Sequence, residues 1–295
     1  MFSTRQMRRK ANLWGWIFAI PTVVGICAFT FYPIIYSFIL SLTNYRSLPT
    51  DPMDFIGFDN YKWIFQESSF FTGLWLSFKF TIITTIVQTI LGFIMAYMLY
   101  RMTPKMQGAY RVILYLPNIL PAAVVSVMWS FIFEPNYGLL DTLLGMVGID
   151  APNWLGDPSW KMPSIVIVNT WKHVGLTMII YFVAMNAIDK QIIESAQIDG
   201  ASSWGILLRI ILPVTWYTTR INVLLSLIGG LKSFDLFYLL FKGDPDMQVV
   251  GLYIFNTAYD SFVYCRASAM ALLLATFISC FSIIANKLMA RGEKV

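Results

Sequence analysis

Residues 11–45 contain no charged side chain. A helix rises about 1.5 Å per residue and a bilayer's hydrocarbon core is about 30 Å thick, so roughly twenty apolar residues cross it. A run this long and this apolar fits a membrane better than a soluble core. Residues 80–100, 112–133 and 267–286 form further uncharged runs. Residues 162–188 and 214–240 are comparably apolar but interrupted, the first by Lys172 and His173, the second by Arg220, Lys232 and Asp235. With 14–42 as the first, the spacing predicts six transmembrane helices. Composition agrees: 13% of the residues are charged, against about 25% in soluble domains. Pro33 and Pro121 fall inside the first and third runs, where membrane helices tolerate a kink.

Lysine and arginine distribution sets the orientation. With the N-terminus placed in the cytoplasm, the inside segments hold twelve basic residues, starting with Arg5, Arg8, Arg9 and Lys10, and the outside loops hold five. Both termini are therefore expected in the cytoplasm, as tails over 1–13 and 290–295 around a six-helix membrane domain at 14–289. The first run is far longer than a signal peptide's apolar stretch of about 7–15 residues, so it is expected to stay in the bilayer. The three cysteines and single histidine offer no metal-ligand or disulfide spacing.

The stretch ESAQIDGASSWGILLRIILP at 194–213 then falls in a cytoplasmic loop, 189–213, between helices four and five. Asp189 is placed to cap a short helix over KQIIESAQI, Gly200 to end it in a left-handed turn, and Ser202 or Ser203 to cap a second helix. Ile192, Ile193 and Ala196 share a face, and the acids Glu194 and Asp199 argue against an interfacial helix, which is usually rich in Lys and Arg. Small residues beside one charge suit a docking surface for a soluble partner. No GxxxxGK[ST] occurs; GGLKS at 229–233 has the wrong spacing. No catalytic set is evident either, so any nucleotide hydrolysis belongs to another polypeptide.

The loop resembles the EAA loop of binding-protein-dependent ABC importer permeases: Glu194, Ser195, Ala196, Asp199, Gly200, Ala201, then Ile210, Leu212 and Pro213. Further pieces resemble the carbohydrate-uptake branch, among them FYPIIYSFILSLTNY at 31–45, RVILYLPNILPAAVVSVMW at 111–129, NWLGDPSW at 153–160 and LKSFDLFYLLFKGDP at 231–245. Gly243-Asp244-Pro245 stands where the branch usually has Gly-Gly-Pro, and Cys265-Arg266 where it usually has Gly-Tyr. The resemblance implies an all-α type I permease fold in a bacterial plasma membrane, with the loop helix docking a cytoplasmic ATPase. It implies two ATP-binding cassette subunits that hold ATP and magnesium, with no cofactor in this chain. It also implies a second related permease, an extracytoplasmic solute-binding protein, a sugar cargo and no nucleic acid. Laid over the sugar contacts of the maltose-transporter relative, Asn169, Lys172, His173 and Leu176 on helix four line the pathway, with Ser226, Gly229, Gly230 and Ser233 on helix five.

Intramembrane ionisable groups are costly and functional by default. Lys232 and Asp235, three apart on one uninterrupted helix, are expected to share a face and could pair. Lys172 and His173 on the pathway would suit an acidic sugar or a phosphorylated polyol. Rival readings are an ion-coupled secondary transporter, a permease for a non-sugar solute, and, more remotely, a membrane enzyme.

Overall fold

The computed structural model describes residues 4–46 and 53–290, with side chains from Gly15 onward. In chain order the helices are α1 (Thr4–Ile26), α2 (Tyr32–Ser41), α3 (Asp59–Gln66), α4 (Ser68–Tyr100), α5 (Pro104–Ile119), α6 (Ala122–Ile132), α7 (Leu139–Met146) and α8 (Pro158–Asn186). Then come α9 (Lys190–Ile198), α10 (Ser203–Ile206), α11 (Leu212–Val214), α12 (Trp216–Leu231), α13 (Asp235–Leu240), α14 (Val250–Tyr259) and α15 (Tyr264–Ala290). No strand occurs among the described residues beyond one isolated bridge, Thr43 with Phe55. Four helical stretches are long and apolar enough to cross a membrane, and two bent pairs bring the total to six if each is one broken span. The predicted tail at 290–295 lies, past Ala290, outside the described residues, and α1 already begins within the predicted tail at 1–13.

Proline explains most departures from straight rods. A proline ring clashes with the carbonyl four residues back and donates no hydrogen bond. Just before Pro33 and Pro213 the chain widens into single π-turns, Cys27–Phe31 and Leu207–Ile211, closed by Tyr32 N–H to the Cys27 carbonyl and Leu212 N–H to the Leu207 carbonyl. Pro33 thus leaves its span continuous. Pro121 does more than kink. The residue before a proline is pushed to extended backbone, Leu120 takes φ −66 and ψ 136, and α5 and α6 meet at 98°. The single third helix expected over 112–133 is corrected to this broken pair.

The expected fifth helix over 214–240 is corrected as well. It stops at Leu231; Ser233 and Phe234 are non-helical, and Asp235 opens the separate α13. Lys232 and Asp235 are therefore not one turn apart on a common helix, and no ion pair joins them among the described residues. The second span, expected to begin at residue 80, starts at Ser68.

The chain divides into two compact units. The first, Met1–Glu67 with Ile254–Ala275, is tied by the Asn60 amide, which donates to the carbonyls of Ser41 and Thr43, both at 2.8 Å. Its Arg266 guanidinium lies 4.0 Å from the centre of the Trp63 ring, a cation–π contact.

The second, Ser68–Tyr253 with Thr276–Val295, is built around α8, the most buried of the spanning helices. This helix packs on both α4 and α5. One apolar cluster gathers around Phe80, Ile165, Val168 and Phe237, and another around Leu99, Met178, Tyr181, Met185 and Ile211. Between these two clusters along α8 and α4 lies a layer of buried amides and hydroxyls, including Thr84, Gln88, Asn169 and Thr177, with Asn222 joining from α12. Unpaired polar groups in a membrane interior are costly, so such a layer needs internal partners or a cavity.

Candidate functional site

It has both. A cavity of about 380 Å³ opens beside the polar layer, walled by α4, α8, α12 and the non-helical break before α13. Irregular backbone at membrane depth is tolerated where it lines a cavity, which accounts for the break at this position. The Gln88 amide donates to Asn169 Oδ1 at 2.8 Å, and the Ser226 hydroxyl donates to Gln88 Oε1 at 3.2 Å. This ladder satisfies the Gln88 amide, and none of its bonds uses the Asn169 NH₂. Most polar side chains on the otherwise apolar wall are neutral donors and acceptors, the inventory that sugar hydroxyls or amides match.

Of the residues expected to line a pathway, Asn169, His173, Leu176, Ser226, Gly229, Gly230 and Ser233 all border this cavity. Lys172 does not, and its expected place there is corrected. It is 7% exposed, and its ammonium donates to the Leu120 carbonyl at 2.5 Å. That carbonyl caps the broken C-terminal end of α5, where the helix dipole is negative. One position on, the His173 ring Nδ1 lies 3.1 Å from Asn118 Oδ1 on the same end of α5. Adjacent positions on a helix point about 100° apart; here His173 borders the cavity and Lys172 turns to α5.

The paired glycines also divide their work. A Cβ on Gly229 would meet nothing within 4 Å, whereas one on Gly230 would lie 2.8 Å from Thr81 Oγ1. Gly229 opens space in the cavity, and Gly230 lets α12 approach α4. Sequence reasoning missed Thr84, Gln88, Thr177 and Asn222 on the wall. Gln88 carried a usable signal, an amide in the middle of an uncharged run.

At the other end of α8 lies the loop over 189–213. Asp189 caps α9, its Oδ1 accepting from the Gln191 amide at 3.0 Å. Gly200 adopts φ +80. Its amide donates to the Gln197 carbonyl and that of Ala201 to the Ala196 carbonyl, the double bond that closes a helix on a left-handed residue. Ser202 caps the next helix through the Gly205 amide at 3.1 Å.

The apolar face of α9 divides. Ile193 and Ala196 pack on the body's own cluster, so they serve attachment, while Ile192, Glu194, Ser195 and Asp199 stay exposed. Ser195, Ala196 and Asp199 border one shallow depression, and Glu194 borders a second crevice with Arg101 and Lys190. Glu194 forms no ion pair among the described residues. Ile198, 85% exposed, and Trp204, 71% exposed, add large apolar surface beside these residues, the kind that marks an interaction site. Gly200 and Ala201 lie at the exposed turn between the two helices.

A family model for the inner membrane component of binding-protein-dependent transport systems matches residues 88–292. The chain belongs to this family. The inner membrane component resembles the lactose transport system permease protein LacF of Rhizobium radiobacter, 28% identical over 95% of both chains. It also resembles the trehalose/maltose transport system permease protein MalF of Thermococcus litoralis, 28% identical over 94% of this chain and 93% of that protein. A solved bacterial alginate ABC transporter, crystallised with an alginate pentasaccharide-bound periplasmic protein, contains a chain of the same fold. Its TM-score is 0.85 at 23% identity, covering 99% of this chain and 98% of that one. The all-helical type I importer permease fold is thus shared along nearly the whole length.

Proposed function

We propose that this inner membrane component forms the translocation pathway of an ATP-driven bacterial sugar importer and couples to a cytoplasmic ATPase through α9. The observation that carries the reading is the pairing of a cavity bearing hydroxyls and amides among the spanning helices with a capped, exposed loop helix. The sugar-permease names of LacF and MalF support the cargo class. The basic-residue asymmetry supports cytoplasmic termini and a cytoplasmic α9. On this reading, Glu194 and Asp199 with the small Ser195, Ala196, Gly200 and Ala201 form the docking surface. Two ATPase subunits holding ATP and magnesium grip it, and a second, related permease completes the pathway. An extracytoplasmic binding protein delivers the sugar, and ATPase closure moves the assembly between its outward and inward states. This chain contributes no catalytic group.

Glu194→Lys tests the coupling. It reverses the charge at an exposed position with no internal ion pair, so the permease should still insert while co-purification of the ATPase falls at least tenfold. A variant that retains the ATPase and full uptake would refute the docking role. Uptake that survives ATP depletion but collapses with an uncoupler would point instead to an ion-coupled transporter.

A further inference from the structure

On the orientation proposed above, a second hollow lies nearer the cytoplasmic end of the same helices. It is a groove of about 720 Å³, lined by a different set of residues from the cavity. Its origin is the bend in the fifth span. The stretches Ser203–Val214 and Trp216–Leu231 meet at 64°, while α4 runs uninterrupted from Ser68 to Tyr100. α4 packs closely on α12 and not on α10 or α11, because one unbroken helix can follow only one arm of a bend. The space left beside the other arm is the groove.

Its chemistry is graded along its length. Thr89, Tyr181 and Thr219 close the inner end. The Tyr181 hydroxyl donates to Thr219 Oγ1 at 2.9 Å and the Thr89 oxygen is buried, so the polar atoms there are engaged or covered. Towards the mouth the wall is aliphatic and aromatic, and the exposed side chains of Ile90, Ile94 and Leu208 leave it open along its side. Arg101 and Trp204 stand at the mouth. The Arg101 guanidinium makes a long contact with the Tyr97 hydroxyl, 3.5 Å, and no ion pair among the described residues. The adjoining crevice adds Lys190 and Glu194, so these three groups together carry one positive charge in excess.

We propose that the groove seats an acyl chain of an anionic phospholipid from the cytoplasmic leaflet, with its phosphate on Arg101. Thr89 and Arg101 are twelve positions apart, about 18 Å at the helical rise. One leaflet supplies about 15 Å of hydrocarbon, half of a bilayer core. A guanidinium matches a phosphate in both charge and geometry, and the exposed Trp204 suits headgroup depth. The lipid carries tail and anion in the same order as the groove, apolar along its length and cationic at its mouth. A facing permease would need to bring both parts separately. Once occupied, the groove joins α4 to the arm that follows the loop helix, so the lipid braces the coupling loop where the helices themselves leave a gap.

The test uses the intact assembly in phosphatidylcholine vesicles doped with phosphatidylglycerol bearing a diazirine on its tail. A parallel sample carries the same tail on phosphatidylcholine. After illumination, cross-linked peptides are mapped by mass spectrometry and normalised to those of α15, whose Ile283, Ile284 and Leu288 are exposed. Phosphatidylglycerol adducts should concentrate on residues 89–101 and 203–212 and exceed those of phosphatidylcholine there. Arg101→Gln should lower that excess about fivefold, the effect of one basic residue beside an anionic lipid, and leave the α15 adducts unchanged. Ile94→Trp fills the groove from an exposed position and should remove most adducts of both lipids there, which keeps the test decisive if Arg101→Gln fails to assemble. Equal adducts from the two lipids, unaltered by Arg101→Gln, overturn the inference. So does an unlabelled groove beside a labelled α15, which would show that a protein face covers it. The cargo takes no part in these measurements, so either result leaves the sugar reading standing.

Discussion

Gly175→Ala is the smallest change expected to disturb this fold severely. Gly175 lies on α8 where α5 crosses it, and a Cβ there would stand 2.2 Å from the Leu114 carbonyl oxygen and 3.0 Å from Tyr115 Cα. Both obstacles are backbone, so no rotamer change relieves them. Ordinary contact begins near 3.4 Å, which requires α5 to withdraw by about 1.2 Å at this point. The Lys172 ammonium, one turn away, holds the Leu120 carbonyl of the same helix at 2.5 Å. A comparable shift there stretches that bond past the roughly 3.5 Å at which a hydrogen bond ceases to count.

Overpacking costs about 1–3 kcal/mol, and a hydrogen bond from a charged group contributes about 1.5–3 kcal/mol. The combined loss is therefore about 2.5–6 kcal/mol. At about 2–4 °C per kcal/mol for a body of this size, the purified protein should melt roughly 5–24 °C lower. Because both costs pass through α5, Gly175→Ala and Lys172→Met should combine to less than the sum of their separate effects. The assay is thermal unfolding of the detergent-purified chain, monitored by tryptophan fluorescence for all four proteins of the cycle. Melting of Gly175→Ala within about 2 °C of wild type would refute the close-contact argument, and strict additivity would refute the link to Lys172.

Two further outcomes separate cavity from scaffold. Gly229→Val adds a side chain whose Cβ meets nothing within 4 Å, so its melting temperature should stay within about 3 °C of wild type while transport by the reconstituted assembly falls at least tenfold; normal transport would remove Gly229 from the pathway. Lys161→Met removes the buried ammonium that bridges Asp244 Oδ2 at 2.5 Å and Asp246 Oδ2 at 3.1 Å. Asp246 is largely exposed and contributes little, so the expected outcome is a lower melting temperature, mainly from loss of the Asp244 partner; an unchanged value would show the ion pair to be energetically neutral.

The loop was read closely from sequence because its signals are local. Asp189, Gly200 and Ser202 each act through backbone groups within three residues, and each was placed correctly. The pathway was read less well. Periodicity puts Lys172 and His173 side by side but cannot tell which of them faces the cavity. That depended on where the broken end of α5 lies, and the break itself was expected only as a kink. Lys232 and Asp235 were read as a pair because the apolar run continues through residue 240, yet hydropathy does not distinguish a continuous helix from one interrupted for two residues. The Asp244 departure from the usual Gly-Gly-Pro acquires a role only in three dimensions, as the close partner of Lys161.

Taken alone, the sequence determined that the chain spans a membrane, where the capped helices of the loop lie, and that no GxxxxGK[ST] motif is present. These follow from quantities that add along the chain: apolar length, charge count and local capping. The folded structure decided which polar groups look into the cavity, which ammonium serves a helix end, and which glycine leaves the cavity open rather than admitting a neighbouring helix. Those outcomes turn on contacts between distant segments, such as Gln88 with Ser226, 138 positions apart. A one-dimensional pattern cannot encode them, because burial of a polar group depends on what packs against it.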